Sequence, residues 1–210
     1  MVDIFLSGGP VMYPLLLCSL VSVTVIIERT IFWIQVGMRR NYELVGETLD
    51  LCKEGDWEGV RQKVSGSRNY VIRVLVSGIL HREYSLVKAM EQAGAEEIKG
   101  MNRYMGILDT IISVAPLLGI FGTVLGIISS FDMLGSVGLD DPVAVTGGIA
   151  QALITTAAGL AIAIFTIFPY NYFNARVERA ILNIEKYATS LEILFERLQG
   201  RCEDNGEDQP

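Results

Sequence analysis

Histidine is nearly absent from the sequence: His81 is the single one in 210 residues. The cysteines number three, Cys18, Cys52 and Cys202, far apart and with no CxxC pairing. HExxH and GKS/T motifs are missing, and the apolar segments hold no nucleophile–base pair. The usual zinc-peptidase, P-loop and nucleophilic-enzyme chemistries are therefore excluded, and the cysteines read as reduced, structural thiols. His81 reads as a surface residue. Charge is absent in longer stretches. No Lys or Arg occurs in residues 1–28 or between Arg103 and Arg176, and no charged residue of either sign in 11–27, 110–131 or 143–173. No basic patch exists, so nucleic acid is not a partner.

What fills the uncharged stretches is apolar. Half of the chain is hydrophobic, and its mean hydropathy is +0.39. Each run reaches or nearly reaches the ~20 residues needed to cross a bilayer. The fold class that follows is an all-α integral membrane protein with three transmembrane helices and long cytoplasmic helical extensions. The segment before the first run, "MVDIFLSGG", carries no Lys or Arg, so that run reads as a retained span and not a cleaved leader. Arg and Lys concentrate in 39–103 and 176–201, which the positive-inside rule places in the cytoplasm.

The expected organisation is an exterior segment over 1–10, a first span over 11–36, and a cytoplasmic helical region over 37–106. A second span covers 107–134, an exterior loop 135–141 and a third span 142–170. A cytoplasmic helical extension over 171–199 and a disordered acidic tail over 200–210 complete the chain. Asp141 before Pro142 makes a good helix start. In the cytoplasmic region Val60, Val64, Val71, Val74 and Leu75 recur at helical steps, with "KEGDWEG" and "VSGSRN" as turns. Beyond the third span, Val177, Ile181, Ile184, Ala188, Leu191, Phe195 and Leu198 form an apolar stripe that needs a protein partner.

The spans carry polar and small residues that an anchor has no use for. Gly122, Gly126 and Ser130 are spaced by four, with Gly119 and Thr123 beside them. Gly148, Ala152, Thr156, Gly159 and Ala163 make a second small-residue ridge, with Gln151 and Thr155 alongside. Such ridges let helix backbones approach closely. A threonine in a membrane helix most often bonds its own i−4 carbonyl, so one hydroxyl alone signals little. Two ridges with central hydroxyls in two uncharged spans signal more. Threonine does not titrate near neutrality, so any ion path here needs an ionisable group supplied from elsewhere. Asp109 reads as an interfacial or capping residue, and Asp132 as a candidate outer entrance.

The stretches "APLLGIFGTVLGIISSF" (115–131), "GGIAQALITTAAGLAIAIFTIFPYN" (147–171) and "GGPVMYPLLLCSLVSVTVIIER" (8–29) resemble the MotA/TolQ/ExbB family, in its ExbB/TolQ branch. The resemblance implies a homo-pentamer in the bacterial inner membrane, N-terminus periplasmic and C-terminus cytoplasmic. It would surround two copies of an ExbD/TolR-like single-span subunit that carries an intramembrane Asp. It also implies work passed to a TonB-like or TolA-like protein, for energy-dependent transport or envelope maintenance, without a cofactor. Thr123 and Thr156 fall at the family's pore-facing hydroxyls, and Pro116 and Pro169 at its helix bends. On this reading Thr155 and Gln151 also belong to the ion pathway, and the glycine ridge packs on sister subunits. Gln151 stands where the branch commonly has glutamate and cannot titrate, which leaves proton and sodium coupling both open. The rival readings are a MotA-like stator for flagellar or gliding motility and a non-conducting oligomeric scaffold.

Overall fold

The computed structural model describes residues 8–38, 42–54, 56–64, 67, 69–137 and 142–204, and among them every regular element is an α-helix. In chain order these are α1 (Met12–Met38), α2 (Tyr42–Glu54), α3 (Trp57–Val64), α4 (Tyr70–Leu80), α5 (Arg82–Met101), α6 (Met105–Val137) and α7 (Pro142–Asp204). Three of them, α1, α6 and α7, are long and apolar enough to cross a membrane. The expected exterior segment falls largely outside the described residues, as do positions 138–141 of the expected loop, including the Asp141 cap. Residues 205–210 of the expected acidic tail also lie outside them; α7 runs to Asp204.

The chain divides into two compact units, Met1–Thr30 with Tyr104–Asn174 and Ile31–Arg103 with Ala175–Pro210. In the first, a small core of Val11, Leu15, Ile111 and Ala115 is packed by Leu118, Leu125, Ala158 and Ile162, among others. Large side chains such as Leu17, Leu117, Phe165 and Phe168 point outward. Lipid makes that arrangement stable, because bulky apolar groups gain nothing by turning inward.

The same unit holds a buried charge. Arg29 is only 2% exposed, and its guanidinium makes a forked pair with Glu28, with N···O separations of 2.5 and 2.7 Å. It also lies over the ring of Tyr104, 5.6 Å from the centroid. Tyr104 takes a left-handed φ of 66° at the turn before α6, a conformation that costs a non-glycine residue energy.

The second unit packs as water-soluble helices do. Buried Val45, Val60, Ile72, Leu75, Ile79, Leu86, Met90, Ile184 and Leu191 make its interior. Asn69 caps α4 by accepting the Val71 N–H at 3.0 Å. The exposed His81 closes α4, its backbone N–H donating to the carbonyls of Ser77 and Gly78. Ser85 leaves helical geometry and kinks α5. Arg73 on α4 meets Glu97 on α5 at 2.5 Å, and Lys63 on α3 meets Glu47 on α2 at 2.8 Å. Burial nevertheless holds the Glu97 carboxyl above its ordinary value, against the pull of Arg73. Burial also pushes the Cys52 thiol up to about 11, which makes it inert.

Candidate functional site

Helices α6 and α7 meet along a seam of small residues. A Cβ added at Gly119 would lie 3.0 Å from the Thr155 carbonyl oxygen and 3.0 Å from the Thr156 Cα. One at Gly126 would lie 2.8 Å from the Gly148 carbonyl oxygen, and one at Gly159 3.1 Å from the Gly119 Cα. Gly122 faces Thr155, and Gly148 faces Ser130 and Gly126. Backbone touches backbone along several turns. The glycine ridge of α6 thus differs from the sequence expectation of a contact with sister subunits: its own chain fills it. The physical reason is the complementary period of Gly148, Ala152, Thr155 and Gly159 on α7, which reaches the ridge first through a short connection.

This close approach brings two hydroxyls together. Thr123 Oγ1 and Thr156 Oγ1 are in hydrogen-bond contact across the seam. Thr123 Oγ1 also lies 3.2 Å from the Gly119 carbonyl on its own helix and 3.1 Å from the Ala152 carbonyl on α7. Thr156 Oγ1 lies 3.1 Å from the Gly119 carbonyl on α6. Two hydroxyl protons cannot serve all these acceptors at once, so donors and acceptors can exchange within the cluster. Elsewhere in the apolar helices Thr24, Thr30, Thr110, Ser113 and Thr166 donate to the carbonyl four residues back. Thr123 keeps that local bond and adds the cross-helix ones.

Of the other singled-out residues, Thr155 shares the Ala152 carbonyl with Thr123, and the rest lie apart from the pair. Thr155 is fully buried between the helices and donates to the Ala152 carbonyl at 2.8 Å. Ser130 is buried and donates to the Gly126 carbonyl at 3.0 Å. Gln151 packs its amide against Gly9, which has a φ of 69° at the start of α1. Five residues of helix turn Gln151 about 140° away from Thr156. Asp132 is exposed, nine positions from Thr123 and so about half a turn round α6. Helix α6 runs on through Pro116, and α7 through Pro169. Among the described residues no group of three His, Cys, Asp or Glu side chains is placed to hold a metal. Sequence reasoning did not find the Glu28–Arg29–Tyr104 cluster. Its one signal was an ion pair interrupting an apolar run.

The family described as the MotA/TolQ/ExbB proton channel family matches residues 68–186, from the start of α4 well into α7. The ExbB-like 3 protein of Synechocystis sp. is 33% identical over 206 residues, covering 95% of this chain and 97% of that one. The ExbB-like 1 protein of the same organism is 34% identical, over 93% of this chain and 79% of its own length. The Tol-Pal system protein TolQ of Pseudomonas aeruginosa is 29% identical, over 85% of this chain and 87% of its own length.

Proposed function

Since the chain belongs to the MotA/TolQ/ExbB proton channel family, we propose that it is an ion-conducting motor subunit of the bacterial inner membrane. Ion motive force becomes mechanical work, for energy-dependent transport of the ExbB kind or envelope maintenance of the TolQ kind. Five copies surround two ExbD/TolR-like single-span subunits, each carrying an intramembrane Asp, and a TonB-like or TolA-like protein takes up the motion. The N-terminus is periplasmic and the basic segments, including the C-terminus, are cytoplasmic, in line with the positive-inside rule.

The observation that carries this reading is the hydroxyl pair of Thr123 and Thr156. These groups form a polar cluster within stretches of α6 and α7, 110–131 and 143–173, that hold no charged residue, so the titrating group comes from the partner span. A hydroxyl there can bond the partner carboxyl or the ion it holds. Because the glycine seam closes within one chain, it gives no special support to a scaffold that only oligomerises. Thr155, turned toward Gly122 and bonded to the carbonyl that Thr123 also uses, acts by supporting the pair, while Gln151 packs on Gly9 away from it.

The test is Thr→Val, which keeps the shape and removes the hydroxyl. A lost bond to a charged group costs ~1.5–3 kcal/mol, over tenfold in an equilibrium. Thr123→Val with Thr156→Val should therefore reduce ion-driven activity at least tenfold while the complex still assembles. Thr→Ser should retain part of it. Full activity in the double Val variant would refute the reading.

A further inference from the structure

The apolar stripe that follows the third span is largely satisfied within the chain. Val177, Ile184 and Leu191 are buried in the second unit. Ile184 packs at Gly94 of α5, where an added Cβ would lie 3.4 Å from its Cγ2. Two other features of that unit stay uncovered, and they are complementary. The first is a groove of about 350 Å³ between α5 and α7. Val87, Ala95, Ile98 and Ala188 contribute to its apolar walls. Its ionisable residues are Glu91, Glu185 and Glu192, with no Lys or Arg among the described lining residues.

The second feature is a ridge on α7. Leu182 and Ile193 are 64% and 46% exposed, large apolar side chains left in water, and the exposed Arg179, Lys186 and Arg197 flank them. Leu182 and Ile193 are eleven residues apart, about three turns, so they share one face roughly 16 Å apart along the axis. Arg179 and Lys186 are seven residues apart, and so are Glu185 and Glu192, which spaces each pair by roughly 10 Å. An acidic apolar groove and a basic apolar ridge of the same pitch thus occur on one chain. Within that chain they cannot meet. Positions 185, 188 and 192 lie on a face of α7 turned roughly 120° from the face of 182, 186 and 193.

We infer that the groove between α5 and α7 receives the Leu182–Ile193 ridge of a second copy of this chain. The inference rests on the several-copy assembly proposed above and names where its copies meet outside the membrane. Leu182 and Ile193 would leave water against the apolar walls, while the cations beside them face Glu91, Glu185 and Glu192. Because ridge and groove are different surfaces, the contact runs head to tail. Copies inserted the same way in one bilayer are related by rotation about its normal, and a head-to-tail contact so constrained closes into a ring.

The experiment cross-links the full-length protein in membranes, with Cys18 and Cys202 replaced by alanine and Cys52 left in its buried site. A chain carrying both Ala95→Cys in the groove and Ile193→Cys on the ridge should give a ladder of covalent multiples with a short bis-maleimide. Neither substitution alone should link two copies. Replacing Glu185 and Glu192 by lysine should cut the ladder about tenfold, because like charges then face each other. Arg179→Glu with Lys186→Glu should do the same, and all four changes in one chain should restore it, which a merely unfolded variant would not. Monomer alone from the double-cysteine chain, in a complex whose native mass shows several copies, overturns the inference and leaves the assembly standing. Linkage of two copies through Ile193→Cys alone, or of Ala95→Cys to a chain of different mass, also overturns it, as does a ladder indifferent to the charge reversals. The Thr123→Val, Thr156→Val variant should cross-link like its parent, so this contact and the ion-conducting reading fail separately.

Discussion

The residues that fill the interior of one unit would be poor choices in the other. Between α6 and α7 in the first unit the contacts are made by Gly119, Gly122, Gly126, Gly148, Ala152, Thr155 and Gly159. In the second, Ile72, Leu75, Leu86, Met90 and Leu191 fill the interior, and ion pairs such as Arg73–Glu97 tie helix to helix. The difference follows from what surrounds each unit. Water drives large apolar side chains inward, so the second unit is stabilised by area removed from water. Lipid exerts no such drive, and helices there hold together through close contact and bonds between backbones. Small residues are therefore the adhesive of the first unit and only gaps in the second.

Substitution tests that contrast most sharply at glycine. A side chain at Gly159 would press on the Ala115 carbonyl and the Gly119 Cα, both backbone atoms that cannot swing aside. Gly159→Leu should therefore separate α6 from α7 and abolish a folded, assembled protein, as read by gel filtration in detergent. A normal elution profile would mean that the seam is not what holds the pair. Next in size is Leu75→Ala in the second unit, where the side chain is 1% exposed. It should cost about 2–5 kcal/mol in denaturant unfolding. A cost below 1 kcal/mol would show that this interior is loosely packed.

A smaller effect is expected at Glu97, whose side chain is 18% exposed beside Arg73. Its folded carboxyl titrates above 4.5, so protonation favours the folded state. The stability it contributes is fully present below that pH and is lost as pH rises through the folded value. Glu97→Gln keeps the neutral form at every pH. It should raise stability at pH 7 and flatten the pH dependence just above 4.5. A less stable variant at pH 7 would mean that the ion pair outweighs burial. Smallest of all is Gly46→Ala. Its Cβ would meet nothing within 4 Å, so the change should stabilise α2 by about 0.5–1 kcal/mol. The same substitution at Gly159 should destabilise, and equal signs at the two positions would erase the contrast between the units.

The all-helical character and the three long apolar helices were legible because apolar runs and helical stripes need no tertiary information. Thr123 and Thr156 were legible from their motifs. Their contact was not, because it depends on the register of two helices 33 residues apart in sequence. The same register decides that Thr155 turns inward to Gly122 and that the glycine ridge faces its own chain. Gln151 beside Gly9 depends in addition on where α1 begins. Arg29 was legible only as an interruption, since a sequence does not say that Tyr104 adopts a left-handed backbone to cover it.

The glycine seam also has a mechanical meaning. Side-chain interfaces yield by rotamer changes, which let packed helices slide past one another in small steps. Where Gly119 and Gly159 press backbone on backbone, there are no rotamers to change, and packed atoms compress little. Helices α6 and α7 therefore behave along this stretch as one stiff strut. Force applied at one end of the hairpin is delivered at the other with little taken up as internal strain.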